Sequence, residues 1–170
     1  YNGLQVVSRI NGLDTPFGKA DIAMLVKAGV DVIRLPKTVT AQDIADVENE
    51  VFENEKKYGL AEGTIKLMAA IEDPLGAINA YSIAKSSDRL IGIALGAEDY
   101  VRSMKTKRYV DGNELFFART QIVNAARAAD IYALDTVYSD VNNEEGLRRE
   151  VELIKQLGFD GKSVINPRQI

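Results

Sequence analysis

The sequence predicts an α/β fold, a parallel sheet built from repeated strand–helix units. Strand starts recur roughly every 25 to 40 residues with one helix between each pair, the mark of βαβ units. The strand runs are apolar on both faces, as parallel strands buried on both sides are. Polar residues close several different strands: Arg9, Lys37, Glu72, Asp99 and Asn166. Barrel active sites are assembled in that way, from the ends of many strands. An open doubly wound sheet is the competing architecture, and it usually carries a Gly-rich phosphate turn after its first strand. The segment from Asn11 through Gly12 and Asp14 to Gly18 matches neither GxGxxG nor a P-loop.

The elements follow in order. Val6, Val7 and Ile10 mark a first strand over 6–10. Ile22, Leu25 and Val26 share one face of a helix over 20–28, and Gly29 stops it. Residues 32–35 form a second strand, broken by Pro36. A long helix over 40–58 places Ile44, Val47, Val51 and Glu55 at helical spacing, with Gly59 at its C-terminus. The third strand, 65–71, is nearly all apolar. Asp73 then serves as N-cap and Pro74 as first residue of a helix reaching about Lys85. Residues 90–95 are a fourth strand ending in Gly96-Ala97-Glu98-Asp99. A polar loop over 102–113 leads to a helix over 114–129, with Phe116 and Phe117 expected in the core. A fifth strand over 131–137, a helix over 144–157 closed by Gly158, and a sixth strand over 162–165 ended by Pro167 complete the chain. A whole barrel needs about 250 residues, so about two of its eight units are absent. The 170 residues read as one partial barrel domain, without linker or low-complexity stretch.

Composition narrows the chemistry. Apolar residues make up 46% and charged residues 27%, which excludes a disordered or low-complexity chain. The net charge of −4 gives no electrostatic footprint for nucleic acid, and no apolar run is long enough for a membrane span. There is no cysteine and no histidine. That removes disulfides, thiolate nucleophiles, Ser-His-Asp triads, and cysteine or histidine metal sites. Lack of cysteine fits a reducing compartment. The chain starts at Tyr1 without an initiator Met, so an upstream segment is a possibility to keep.

Glu72 and Asp99 are the first candidates for function. They lie at the ends of consecutive apolar strands, where neighbouring parallel strands are about 4.8 Å apart and two carboxylates can share one cation. Two carboxylates plus waters and an anionic substrate suit Mg²⁺; two solvated strand-end acids are the plain alternative. Period two lets only one member of each pair, Glu72/Asp73 and Glu98/Asp99, point inward. Arg9 ends the first strand amid apolar residues, either to clamp a substrate carboxylate or to form an internal salt bridge with Glu72. Arg34 and Lys37 flank Leu35-Pro36, and Lys37 reads as solvated or substrate-facing more readily than as a Schiff-base nucleophile. Arg102, Lys105, Lys107 and Arg108 make a basic patch for a phosphate-bearing cofactor or an acidic carrier protein, or a solvated loop.

Several strings are similar to those of a known family: Ile93-Ala94-Leu95-Gly96-Ala97-Glu98-Asp99-Tyr100, Leu115-Phe116-Phe117-Ala118-Arg119, Asp135-Thr136-Val137-Tyr138-Ser139-Asp140, and the C-terminal run from Gly158 through Asn166-Pro167-Arg168 to Ile170. Ser8-Arg9-Ile10-Asn11 and Arg34-Leu35-Pro36-Lys37 fit in the same order. Together they span essentially the whole chain. It resembles the citrate lyase beta-subunit family, within the citrate lyase/malyl-CoA lyase group of aldolase-like barrels. The resemblance implies a TIM-type (β/α)8 barrel, here a six-strand fragment lacking the first two strands and the C-terminal helices. It implies Mg²⁺ and a substrate carried as a thioester on acyl carrier protein or CoA, cleaved as a citryl group to oxaloacetate and an acetyl thioester. The family's metal carboxylates fall on Glu72 and Asp99, and its substrate arginine on Arg9, with Glu72 also at the substrate. Implied partners are the alpha subunit and the gamma subunit (the acyl carrier protein), in a cytoplasmic homo-oligomeric assembly. Asp73 departs from the Ser or Thr usual in the family at that position. No acid–base residue is assignable. The alternatives are a malyl- or methylmalyl-CoA-type lyase and a truncated, non-catalytic scaffold subunit.

Overall fold

The computed structural model describes residues 3–170. Six strands form one sheet in the order β1-β2-β3-β4-β5-β6, and every pairing is parallel. They are β1 (Val7–Arg9), β2 (Val32–Leu35), β3 (Lys66–Ile71), β4 (Leu90–Leu95), β5 (Tyr132–Asp135) and β6 (Gly161–Lys162). Each strand sits beside its predecessor, so the strand order never reverses. Right-handed crossovers then put every intervening helix on the same face of the sheet. A doubly wound sheet reverses its order at a switch point and is excluded.

The helices are α1 (Gly18–Ala28), α2 (Ala41–Tyr58), α3 (Pro74–Ile78), α4 (Ala80–Ala84), α5 (Ala97–Ser103), α6 (Phe116–Ala129) and α7 (Glu144–Leu157). Their neighbour contacts run α1 to α2, α2 to α4, α4 to α6 and α6 to α7, one layer in chain order. The main core lies between this layer and one face of the sheet. Ile33, Leu35, Leu67, Ala69, Ile71, Ile93, Leu95 and Ala133 supply the sheet side. Ile22, Val26, Ile44, Val51, Ile83, Ile122 and Ile154 supply the helix side. The strand residues of alternate parity, Arg9, Arg34, Met68, Ala70, Gly92 and Ala94, therefore occupy the opposite face.

The caps behave as the residues dictate. Gly29, Gly59 and Gly158 end α1, α2 and α7 in the left-handed conformation that glycine adopts without strain. Asp73 accepts from the Leu75 amide at 2.9 Å with Pro74 as first helical residue, and Asp43 accepts from the Thr40 amide at 2.8 Å.

Several boundaries differ from the sequence reading. The helix expected from 74 to about 85 is two short helices joined at Asn79, whose side-chain amide donates to the Val39 carbonyl at 2.9 Å. Gly96-Ala97-Glu98-Asp99 does not extend β4; it is the N-cap and first turn of α5. β5 stops at Asp135 rather than 137, and β6 is Gly161–Lys162 rather than 162–165. Phe116 and Phe117, expected in the core, are 55% and 54% exposed. The apolar stripe of α6 is carried instead by Leu115 just before it and by Ala118, Ile122 and Ala126, four residues apart from Ala118 on, which leaves the two Phe residues on the outer side. Among the described residues no helix is long and apolar enough to cross a membrane.

Candidate functional site

The C-terminal ends of the strands frame a cleft of about 590 Å³. Arg9, Arg34, Glu72, Gly96, Asp99, Thr136 and Ser163 are among the residues that line it. Arg9, Glu72 and Asp99, the three site residues expected from the sequence, thus come together. Lys37 and Asn166 do not line this cleft; Lys37 lines a neighbouring groove of about 760 Å³ with Arg9, Asn11 and Asp43. Arg34 is the lining residue that the sequence reading named beside Lys37 but gave no role. It stands beside Arg9 in strict register across β1 and β2, and on the same face.

The local structure explains why these side chains meet. Glu72 is two residues beyond Ala70 and shares its parity, so it leaves β3 on the arginine face. Gly96 stands beside it at the end of β4. A Cβ on Gly96 would lie 2.5 Å from Glu72 Cγ and 3.1 Å from its carboxyl carbon, so glycine here makes room for the carboxylate. Asp99 sits in the first turn of α5, not at the end of a strand. That turn is fixed by the buried Thr136 hydroxyl, which accepts from the Ala97 amide at 3.1 Å. The partners Asp73 and Glu98 turn elsewhere, as a period-two pattern requires for the first. Asp73 caps α3, while Glu98 pairs with Arg108 at 3.3 Å and accepts from Ser139 at 2.8 Å.

Electrostatics follow from this crowding. Burial and the nearby Asp99 charge push the Glu72 carboxyl above the usual carboxylate range, against the pull of Arg34, Arg9 and Lys37. Burial lowers the Arg34 guanidinium, with Glu72 opposing and Arg9 adding to the fall. Its Nε is buried without a hydrogen-bond partner. The internal salt bridge weighed for Arg9 and Glu72 does not form; the two act on each other at longer range. Asp99 pairs with Arg102 at 3.0 Å, but the Arg102 side chain is 81% exposed and free to swing away.

Two oxygen donors crowding one another, with no imidazole or thiolate in the chain, fit a hard divalent cation. Among the described residues no cluster of three or more acidic, His or Cys ligands forms. A cation here would therefore be held by Glu72 and Asp99, leaving positions for water and substrate oxygens. Mg²⁺ is the ion that commonly keeps such a partly hydrated shell. The arginines opposite are suited to carboxylates.

Comparison with known proteins finds relatives over the whole chain. The chain is 59% identical over 170 residues to citrate lyase subunit beta of Leuconostoc mesenteroides subsp. cremoris, covering 100% of this chain and 56% of the relative. It is 56% identical to citrate lyase subunit beta of Escherichia coli strain K12 over the same 170 residues, again 56% of the relative. The chain thus spans little more than half the length of these curated relatives. Among solved structures, the citrate lyase beta subunit of M. tuberculosis complexed with oxaloacetate and magnesium superimposes with a TM-score of 0.79 at 29% identity, covering 96% of this chain and 69% of that one. The family model described as HpcH/HpaI aldolase/citrate lyase matches residues 1–167, and the chain belongs to that family.

Proposed function

We propose that this chain carries the metal and substrate site of a Mg²⁺-dependent carbon–carbon lyase. The substrate is a citryl thioester on acyl carrier protein or CoA, and the products are oxaloacetate and an acetyl thioester. The observation that carries the reading is the strand-end cleft, with Glu72 and Asp99 opposed by Arg9 and Arg34. The citrate lyase beta subunits it resembles, at 56% to 59% identity, support the substrate class.

Each residue has a task. Glu72 and Asp99 would hold Mg²⁺, which when bound supplies Lewis-acid stabilisation of the charge developing on the substrate hydroxyl oxygen as the C–C bond breaks. Arg9, exposed at the mouth of β1, clamps a carboxylate of the portion that leaves as oxaloacetate. Gly96 leaves the room the Glu72 carboxylate occupies, and Thr136 fixes the turn that presents Asp99. The substrate hydroxyl gives up its proton as its oxygen becomes the carbonyl of oxaloacetate, and the acetyl thioester leaves as an enolate that takes up one. With no histidine in the chain, no residue is assigned either transfer.

The wider reading is a TIM-type (β/α)8 barrel of which these six strands are a part. The unreversed strand order supports it. The alpha subunit and the carrier-protein subunit of a citrate lyase complex would be the partners, in a homo-oligomeric cytoplasmic assembly.

The test is cleavage of citryl thioester with Mg²⁺ and then with EDTA, alongside calorimetric titration with Mg²⁺. Oxaloacetate is expected only with Mg²⁺. Glu72→Gln is expected to lose Mg²⁺ binding and metal-dependent cleavage together. Near-normal turnover in that variant would sink the metal assignment.

A further inference from the structure

We propose that Arg34 is the residue that selects a two-carboxylate substrate, by binding the carboxymethyl carboxylate that a citryl thioester has and a malyl thioester lacks. This rests on the lyase reading above. The starting observation is a pair of like charges in register. Arg9 and Arg34 are direct neighbours on adjacent parallel strands, and both line the strand-end cleft. Like charges opposite each other on a sheet are unfavourable unless something anionic lies between or beside them. Glu72 alone does not meet that need, because it forms no salt bridge with either arginine and acts on both only at longer range.

The second observation is an unmet hydrogen-bonding capacity. Arg34 is half-buried, its Nε is buried without a partner, and its charge is disfavoured by burial. A desolvated guanidinium without a carboxylate is costly unless a ligand completes it. The third is space. Met68 of β3 stands level with Arg34, and beyond it, toward the strand ends, the same face carries only Ala70 and Ala94 on β3 and β4. Small residues there are what a site for a branched, multiply charged acid needs.

The chemistry then divides the work. After thioester formation on one arm, a citryl group keeps its central carboxylate and one carboxymethyl carboxylate. A malyl group keeps only the carboxylate next to its hydroxyl carbon. One arginine serves both substrates; the second has a partner only in the citryl case. Arg9, at the exposed mouth, takes the carboxylate common to both, and the deeper Arg34 takes the extra one. Lys37 is the other cation acting on Glu72, but it is exposed and lines the neighbouring groove.

Binding of 2-oxo acids tests this without turnover. Oxaloacetate has two carboxylates and pyruvate one, and each is titrated calorimetrically into the wild-type chain with Mg²⁺. Wild type is expected to bind oxaloacetate about 10- to 100-fold more tightly than pyruvate, the value of one charge-assisted contact. Arg34→Met is expected to bring that ratio close to one while pyruvate affinity stays within about threefold. Arg34→Lys is expected to restore part of the preference, and Lys37→Met to leave it intact. An unchanged ratio in Arg34→Met, an equal loss of both ligands in a variant whose circular dichroism is native, or loss of the preference in Lys37→Met would overturn the assignment. Equal wild-type affinity for the two acids would overturn it while leaving the lyase reading standing. Failure of wild type to bind either acid with Mg²⁺ would fell the lyase reading and the assignment with it.

Discussion

Two arginines sit on opposite faces of the same sheet and live in opposite circumstances. Arg119 of α6 is fully buried on the helix side. It donates to Asp135 through Nε at 2.9 Å and Nη2 at 3.0 Å, and its Nη2 also lies 3.0 Å from Glu150. Lys162 joins the same acids, at 2.7 Å from Asp135 and 2.5 Å from Glu150. Arg108 continues the chain from Glu150 at 3.2 Å to Glu98 at 3.3 Å. Arg34, on the other face, is less buried and has no such partners. The difference teaches how to separate structure from function among buried charges. A charge whose partners come from its own chain holds the fold, and a charge left without them in a cleft is set for a ligand.

The comparison can be broken most severely on the helix side. Asp135→Ala strips the bidentate partner from Arg119 and one partner from Lys162, leaving buried cations uncompensated. Removing one member of a buried pair costs about 3–5 kcal/mol, so urea unfolding is expected to show a loss of that size. A loss below about 1 kcal/mol, the range of a surface pair, would mean the network contributes no more than an exposed one.

A smaller effect is expected on the cleft side, where Gly96→Ala leaves the fold intact but drives a Cβ against Glu72. Mg²⁺ affinity is expected to fall about 10- to 100-fold, as when a group supporting a metal ligand is lost, with little change in melting temperature. Unchanged Mg²⁺ affinity would show that Glu72 has another position from which to act.

The third effect is read from its pH dependence. At the base of β3, Glu55 accepts from Arg89 at 2.9 and 2.8 Å and from the Ile65 amide at 2.8 Å. Burial would raise its carboxyl, but the Arg89 hydrogen bond and the Ile65 and Gly63 amides outweigh burial and hold it below its ordinary value of 4.5. A lowered folded-state value means the stabilisation is complete above the unfolded-state value and is lost as pH falls through the folded one. Glu55→Gln should therefore flatten the decline in stability below about pH 4.5, which acid titration followed by circular dichroism reads directly. An unaltered acid limb would place that decline on other carboxylates.

Much of this was legible in the sequence. The alternation of elements, the glycine stops after α1, α2 and α7, the Asp73–Pro74 start and the strand-end positions of Arg9 and Glu72 all follow from local rules. Asp99 was expected at the end of a strand. It faces Glu72 from the first turn of a helix, because four residues after β4 suit a tight strand-to-helix turn as well as a loop. Arg34 was given no role because parity alone cannot say which face of a strand meets the helices. That choice is made by packing, and only the observed core shows that Ile33 and Leu35 point inward to the helices and Arg34 away from them. The exposure of Phe116 and Phe117 was hidden for the same reason. The ion network was invisible because its buried members, Arg119, Asp135, Glu150 and Lys162, lie on four different elements.

That last fact bears on motion. Arg119, Asp135, Glu150 and Lys162 tie α6, β5, α7 and β6 into one electrostatic knot. None of the four elements can open without stranding a buried charge. Amide protons across them are therefore expected to exchange with solvent together, as one cooperative unit, while the short exposed strand β1 exchanges on its own at lower free energy. Since Thr136 follows β5 directly and holds the turn bearing Asp99, this ion-paired unit is also the one that sets one of the two carboxylates proposed to hold Mg²⁺.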